Sequence, residues 1–142
     1  RGRGFAGYRN RPEATAEAID AEGWFRTGDL GRFDEAGYLA IVGRAKELII
    51  SGGYNVYPRE VEDVLRLHPA VADAAVVGTP DPGWGEVVTA FVEATEEVGG
   101  DELSAFVGAR LAAYKRPRLV HLVDALPRNA LGKVQKHLLD PV

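Results

Sequence analysis

Apolar positions recur along this chain with two different periods, and each change of period marks an element. In PREVEDVLRLHP, residues 58–69, Val61, Val64, Leu65 and His68 fall at i, i+3, i+4 and i+7 and define one helical face. Pro58 suits a first helical turn, the acids at 60, 62 and 63 complement the positive end of the helix dipole, and Pro69 closes the segment. A second amphipathic helix is predicted over 101–114, DELSAFVGARLAAY, through Leu103, Phe106, Val107, Leu111 and Tyr114. Near the start, Pro12 followed by Ala14, Ala18 and Ile19 predicts a short helix ended by Gly23.

Alternation with period two predicts the strands. Leu39 and Ile41 alternate with Tyr38, Ala40 and Val42 beyond turn residues Asp34 to Gly37, which makes a hairpin. The apolar run KELIISGGYNVYP is broken by Gly52 and Gly53 and reads as two strands around a glycine turn. ADAAVVGTP and VVTAFVEA are β-rich runs bracketing the turn-rich DPGWGE, RLVHLV is a last short strand, and Val134 to Leu139 form a terminal helical turn. From residue 46 the order is hairpin, helix, two strands, helix, strand, loop. That order predicts an α+β fold, a small sheet covered by two helices.

Composition narrows the classes. With 142 residues the chain is long enough for one cored domain, and its missing methionine and its start at Arg1 lead us to expect a piece of a longer polypeptide. Seventeen basic and twenty-one acidic residues leave a net charge of −4 with the cations spread along the chain, a pattern that gives no reason to expect nucleic-acid binding. There is no cysteine, and His68, His121 and His137 stand far apart without ligand spacing, so no metal site is expected. No apolar run approaches the roughly 20 residues of a membrane span and no signal sequence opens the chain, so a soluble, cytoplasmic protein is expected.

Three short stretches carry candidate chemistry. In RTGDL, Asp29 reads either as a turn or cap residue or as an acceptor for vicinal hydroxyls, as acidic residues do for a ribose. In GRAKELIISGGYN, Arg44 and Lys46 read as solvated charges, or alternatively Arg44 contacts a nucleotide, and Gly52 and Gly53 read as a turn or as a place where backbone comes close to a ligand. In PRNALGKVQK, Lys133 follows Gly132 in a loop, with Leu131 and Val134 placed as apolar anchors. The spacing GxxxxGK[ST] is absent, so this is no phosphate-binding P-loop. Trp24, Phe25, Phe106 and Tyr114 read as packing residues, while Trp84, in a glycine-rich turn, faces either the core or a partner domain.

The order of these pieces carries more than any one of them. GWFRTGDLGRFDEAGYLAIVGRAKELIISGGYNVYPREVE runs into HPAVADAAVVGTPDPGWGE and closes with YKRPRLVHLVDALPRNALGKVQK. The series resembles the C-terminal portion of the adenylate-forming superfamily: acyl-CoA synthetases, luciferase-type enzymes and peptide-synthetase adenylation domains. The resemblance covers essentially the whole chain. It implies an AMP-forming acid-thiol ligase that joins a carboxylic acid to ATP as an acyl-adenylate and then passes the acyl group to coenzyme A.

On this resemblance residues 1–45 are the tail of a large N-terminal AMP-binding domain and 46–142 the mobile C-terminal domain. Asp29 then holds the ribose hydroxyls, and Arg44 contacts the same sugar or helps set the domain position. Lys46 is the hinge about which the small domain turns between half-reactions. Gly52 and Gly53 flank the pantetheine passage, and Lys133 is the lysine of adenylation. Mg²⁺ accompanies ATP, with ligands mainly in the large domain, which also carries the acyl pocket; fatty, aryl and short dicarboxylic acids stay equally open. The fragment alone is expected to be inactive. Two alternatives accompany this reading: a non-catalytic module that binds nucleotide, CoA or a carrier protein, and an adenylation domain whose acceptor is not CoA.

Overall fold

In a computed structural model, residues 4–139 are described. The chain divides into two compact units, Arg1–Ala45 and Lys46–Val142.

In the first unit, α1 (Pro12–Ala18) precedes an antiparallel hairpin of β1 (Asp29–Phe33) and β2 (Leu39–Arg44). The hairpin turn is the expected one: Asp34 Oδ1 accepts the Tyr38 N–H at 2.8 Å and Gly37 takes φ +85°. The helix ends earlier than Gly23. Ile19 is already extended and bridges Phe25, as suits a β-branched residue, and Gly23 instead supplies the left-handed position (φ +81°) of the intervening turn. None of the unit's described residues is buried, and Phe33, Tyr38, Leu39 and Ile41 on the hairpin are all exposed.

The second unit has a core of its own. Strands β3 (Ile49–Ser51) and β4 (Tyr54–Val56) form the predicted glycine hairpin, in which φ is +56° at Gly52 and +82° at Gly53, the pair of positive values a tight two-residue turn demands. Helix α2 (Pro58–Leu65) leads to the long hairpin β5 (Val71–Asp81) and β6 (Gly85–Ala94), then α3 (Gly100–Gly108), then β7 (Leu119–Val123), which lies parallel to β6. The sheet runs β4-β3-β6-β5, with β7 also on β6.

Alternation along β6 sends Val88, Ala90 and Val92 to the face covered by Val61 and Leu65 of α2 and Leu103 and Val107 of α3, all essentially inaccessible. Burying each of these valine and leucine side chains is worth about 1.5–3 kcal/mol. The opposite face carries Ala75 and Phe91, covered by Leu126, Val134 and Leu139 of the C-terminal segment. The sheet is therefore covered on both sides, by helices on one and by the last stretch of chain on the other.

Two predicted helices are shorter than the pattern suggested. After Leu65 the backbone tightens, with Leu67 bonding to Val64 and His68 to Leu65, so the α-helix proper stops before Pro69. In α3, Gly108 weakens the helix and Ala112 turns extended (ψ 145°), so Leu111 and Tyr114 reach the core from a bend beyond the helix. His68 lies beyond the helix proper yet turns inward. It is buried, its Nδ1 accepts the Ala70 N–H at 3.3 Å, and its ring meets Phe106 edge-on.

Candidate functional site

The candidate residues fall into separate groups. In the first unit, Asp29 and Arg44 are opposite each other in the β1–β2 register, and Arg44 Nε lies 2.7 Å from Asp29 Oδ1. Arg44 also donates to the Thr27 carbonyl at 3.3 Å, while the Asp29 N–H donates to Thr27 Oγ1 at 3.0 Å. Both side chains keep solvent access. The pair thus offers a free carboxylate edge backed by a guanidinium, a geometry suited to a vicinal diol. Lys46 is exposed and lies in the 3-10 turn Ala45–Glu47, where one unit ends and the next begins.

Gly52 is tied to a residue that sequence reasoning left undecided. Its N–H donates to the Trp84 carbonyl at 2.9 Å, and a Cβ on Gly52 would stand 2.5 Å from Trp84 Cε3. The indole also carries the Arg118 guanidinium over its ring, 3.8 Å from the centroid. Gly53 has open space around it. An alanine at Gly52 therefore meets both an unfavourable φ and a ring that must move, whereas one at Gly53 meets the φ alone. We expect Gly53→Ala to lower stability by about 1–2 kcal/mol and Gly52→Ala by about 1–3 kcal/mol more, as overpacking does, read by thermal denaturation with the Trp fluorescence followed in parallel. Equal losses would mean that the indole is not held against the turn.

Lys133 sits on a small hairpin built by its neighbours. Arg128 and Val134 form an antiparallel bridge, and the Gln135 N–H donates to the Pro127 carbonyl at 2.7 Å. Inside it, Asn129 is the clasp: its Oδ1 accepts the N–H groups of Leu131 (3.0 Å) and Lys133 (2.9 Å), while its own N–H donates to the Lys133 carbonyl at 2.9 Å. Gly132 takes φ +79° to close the turn. The Lys133 backbone is thus held on both sides, and its exposed ammonium has no hydrogen bond or ion pair among the described residues. Leu131 does not serve as an anchor. It is 92% exposed at the hairpin tip, and only Val134 turns inward.

Besides the apolar contact of Val134, charged groups fix this hairpin to the body. Asp73 on β5 receives Arg128 on one oxygen and Arg66 Nε, at 2.7 Å, on the other, and the Leu126 N–H donates to Glu93 Oε1 at 2.6 Å. Burial works against the Asp73 charge, but the bonds from Arg128, Arg66 and the Ala74 N–H outweigh it and hold the carboxyl below its usual pKa. A carboxyl depressed in the fold stabilises above its unfolded pKa, and that stabilisation is lost as the pH falls through the folded value. We therefore expect Asp73→Asn to unfold at lower urea concentration than the parent at pH 7, with the difference narrowing below the ordinary value of 3.8 and vanishing at still lower pH. A difference that stays constant into acid would show that the charge is not what Asp73 contributes.

The two ends of the β5–β6 hairpin are therefore differently equipped. Trp84 and the Gly52–Gly53 turn stand at its turn end, where Ser51 pairs with Gly85. Arg128 and the Lys133 hairpin stand at the other, where Asp73 pairs with Glu93. Glu93 lies eight positions beyond Gly85 on β6, roughly 25 Å of strand.

The sequence profile of the AMP-binding enzyme C-terminal domain matches residues 60–133. The chain belongs to that family. Among relatives of this AMP-binding enzyme C-terminal domain, the long-chain-fatty-acid–CoA ligase FadD13 of Mycobacterium tuberculosis is 50% identical over 133 residues, covering 93% of this chain and 26% of its own. The o-succinylbenzoate CoA synthetase of Bacillus subtilis, solved with the acyl-adenylate intermediate OSB-AMP, superposes with a TM-score of 0.89 at 43% identity over 96% of this chain and 28% of its own. The amide bond synthetase McbA of Marinactinospora thermotolerans superposes with a TM-score of 0.84 at 43% identity, over 93% and 27%. The chain spans about a quarter of the length of these proteins.

Among the described residues no group of three or more His, Cys, Asp and Glu side chains stands together as a metal site, and no helix is long and apolar enough to cross a membrane. Asn129 and Trp84 carry signals a sequence reader can use, an asparagine three residues before a loop glycine and an aromatic within a glycine-rich turn. Asp73 and its two arginines carry none, since Arg128 lies 55 residues from its partner.

Proposed function

We propose that this chain is the C-terminal part of an ATP-dependent, AMP-forming acyl-CoA synthetase, active together with a large N-terminal domain of the same protein. The observation that carries this reading is the placement of the Lys133 hairpin and the Gly52–Gly53 turn at opposite ends of a strand about 25 Å long. Two elements so far apart cannot serve one reaction centre at the same time. They serve it in turn, as a two-step ligase requires.

In the first step a substrate carboxylate oxygen bonds to the α-phosphorus of ATP and the bond to the β-phosphate oxygen breaks, releasing pyrophosphate. Two anions are brought together and negative charge builds on the phosphoryl oxygens, which the Lys133 ammonium offsets. Asp29 accepts the ribose hydroxyls, and Arg44 fixes that carboxylate and contacts the sugar. In the second step the thiol sulfur of CoA bonds to the acyl carbon and AMP leaves. The domain has then turned about Lys46, so that Gly52 and Gly53, without side chains in the way, flank the pantetheine arm. Mg²⁺ belongs to this reading as the companion of the ATP phosphates, with its ligands in the large domain and the nucleotide. A cytoplasmic location goes with it.

The names of the CoA-ligase relatives support this choice, and the amide bond synthetase supports a second, in which the acyl-adenylate is passed to an amine. The full-length protein given ATP and a panel of carboxylic acids should release pyrophosphate, and then AMP only when CoA is added. Release of AMP with amines but not CoA would select the second reading, and no pyrophosphate from any acid would sink both.

A further inference from the structure

Lys136 lies three residues beyond Lys133, and its ammonium sits between two carboxylates from distant parts of the chain. Nζ is 2.7 Å from Glu62 Oε1 and 3.2 Å from Glu47 Oε2. Glu62 is a buried carboxylate on α2 whose Oε1 also accepts the Val76 N–H of β5 at 2.9 Å, so it is a fixed post. Glu47 directly follows Lys46 within the same 3-10 turn and is 89 residues away from Lys136.

Neutralising a buried carboxylate is reason enough for the Glu62 arm, because an unpaired charge there is strongly destabilising. It does not account for the Glu47 arm. That carboxylate is 31% exposed and would be hydrated at little cost. What the second arm adds is a link between the pivot turn and the segment that carries Lys133.

We propose that Lys136 is a positioning residue that couples the Lys46 turn to the Lys133 hairpin, so that rotation at the pivot carries the ammonium as part of one stiff piece. This rests on the functional reading above. Arg128 anchors the near side of the hairpin to the sheet through Asp73; Lys136 anchors its far side to α2 and to the turn. Without the tie the pivot still turns, but the ammonium arrives with more positional spread, and a misplacement of about 1 Å costs up to 10²-fold in rate.

The test uses the full-length enzyme and measures both half-reactions separately: adenylate formation from ATP and acid, and thioester formation from supplied acyl-adenylate and CoA. Lys136→Met and Glu47→Ala should lower kcat for adenylation by about 10-fold to 10²-fold, with KM for ATP and acid changed little and thioester formation near the parent rate. Lys136→Arg should restore adenylation. Should Lys136→Met fail to fold because buried Glu62 then keeps only Arg66, 3.9 Å away, as a cationic partner, Glu47→Ala decides, since it keeps the Lys136–Glu62 pair. Unchanged adenylation in Glu47→Ala, or equal losses in both half-reactions, overturns the coupling. Lys133→Ala is run alongside. If it adenylates normally, the functional reading falls and the coupling with it; if it is defective while Glu47→Ala is normal, the coupling alone falls.

Discussion

Under the proposed two-step reading, replacing Lys133 with alanine in the intact protein is expected to cut acyl-adenylate formation by about 10²–10³-fold and to leave thioester formation from supplied acyl-adenylate near its parent rate. The hairpin makes this a clean substitution. Every bond that holds position 133 runs through its backbone, to the side chain and N–H of Asn129, and alanine keeps them all. The ammonium itself has no partner among the described residues, so its removal leaves no carboxylate stranded. The loss is then of charge at the phosphoryl oxygens and little else. Rapid-quench measurement of each half-reaction checks it, and equal losses in both would contradict the assignment of Lys133 to the first step.

Lys46→Pro should abolish the alternation between half-reactions: one survives and the other falls by more than about tenfold. Proline fixes φ near −65° at 46 and also drives the preceding residue out of the helical region. Ala45 is part of the 3-10 turn, so the substitution acts on both torsional partners where the two units join. Lys46→Ala is the control, because it removes the exposed side chain and leaves the torsions available. If both half-reactions continue at parent rates in the proline variant, the pivot lies elsewhere.

Much of the fold was legible because it is specified locally. Val61, Val64 and Leu65 repeat at helical spacing and do face the core, and the Gly52–Gly53 pair forms the tight turn its composition demands. The α+β architecture follows from element order alone. Legibility failed where a residue's role depends on what the chain brings to it. Leu131 is apolar and lies beside an inward-turning valine's hairpin, yet the turn throws it outward. Leu111 and Tyr114 fit a helical stripe but reach the core from a bend.

The candidate site divides the same way. Asp29, Arg44, Lys46, the two glycines and Lys133 all stand in recognisable stretches, and the pairing of Asp29 with Arg44 follows from their hairpin register. The supporting charges were invisible. Glu62, Asp73, Arg128 and Lys136 look like ordinary surface residues in sequence, and only long-range closure of the chain makes them a frame.

That none of the first unit's described residues is buried has a mechanical consequence. With Lys46 as the proposed pivot, a lever there needs a fixed fulcrum, and on one side the second unit supplies a core of its own. On the other side the β1–β2 hairpin leaves Phe33, Tyr38, Leu39 and Ile41 exposed, and under the proposed reading the large N-terminal domain is what would cover and stiffen it. Under the two-step reading, severing that cover would leave the swinging half intact and yet unable to swing to any defined stop.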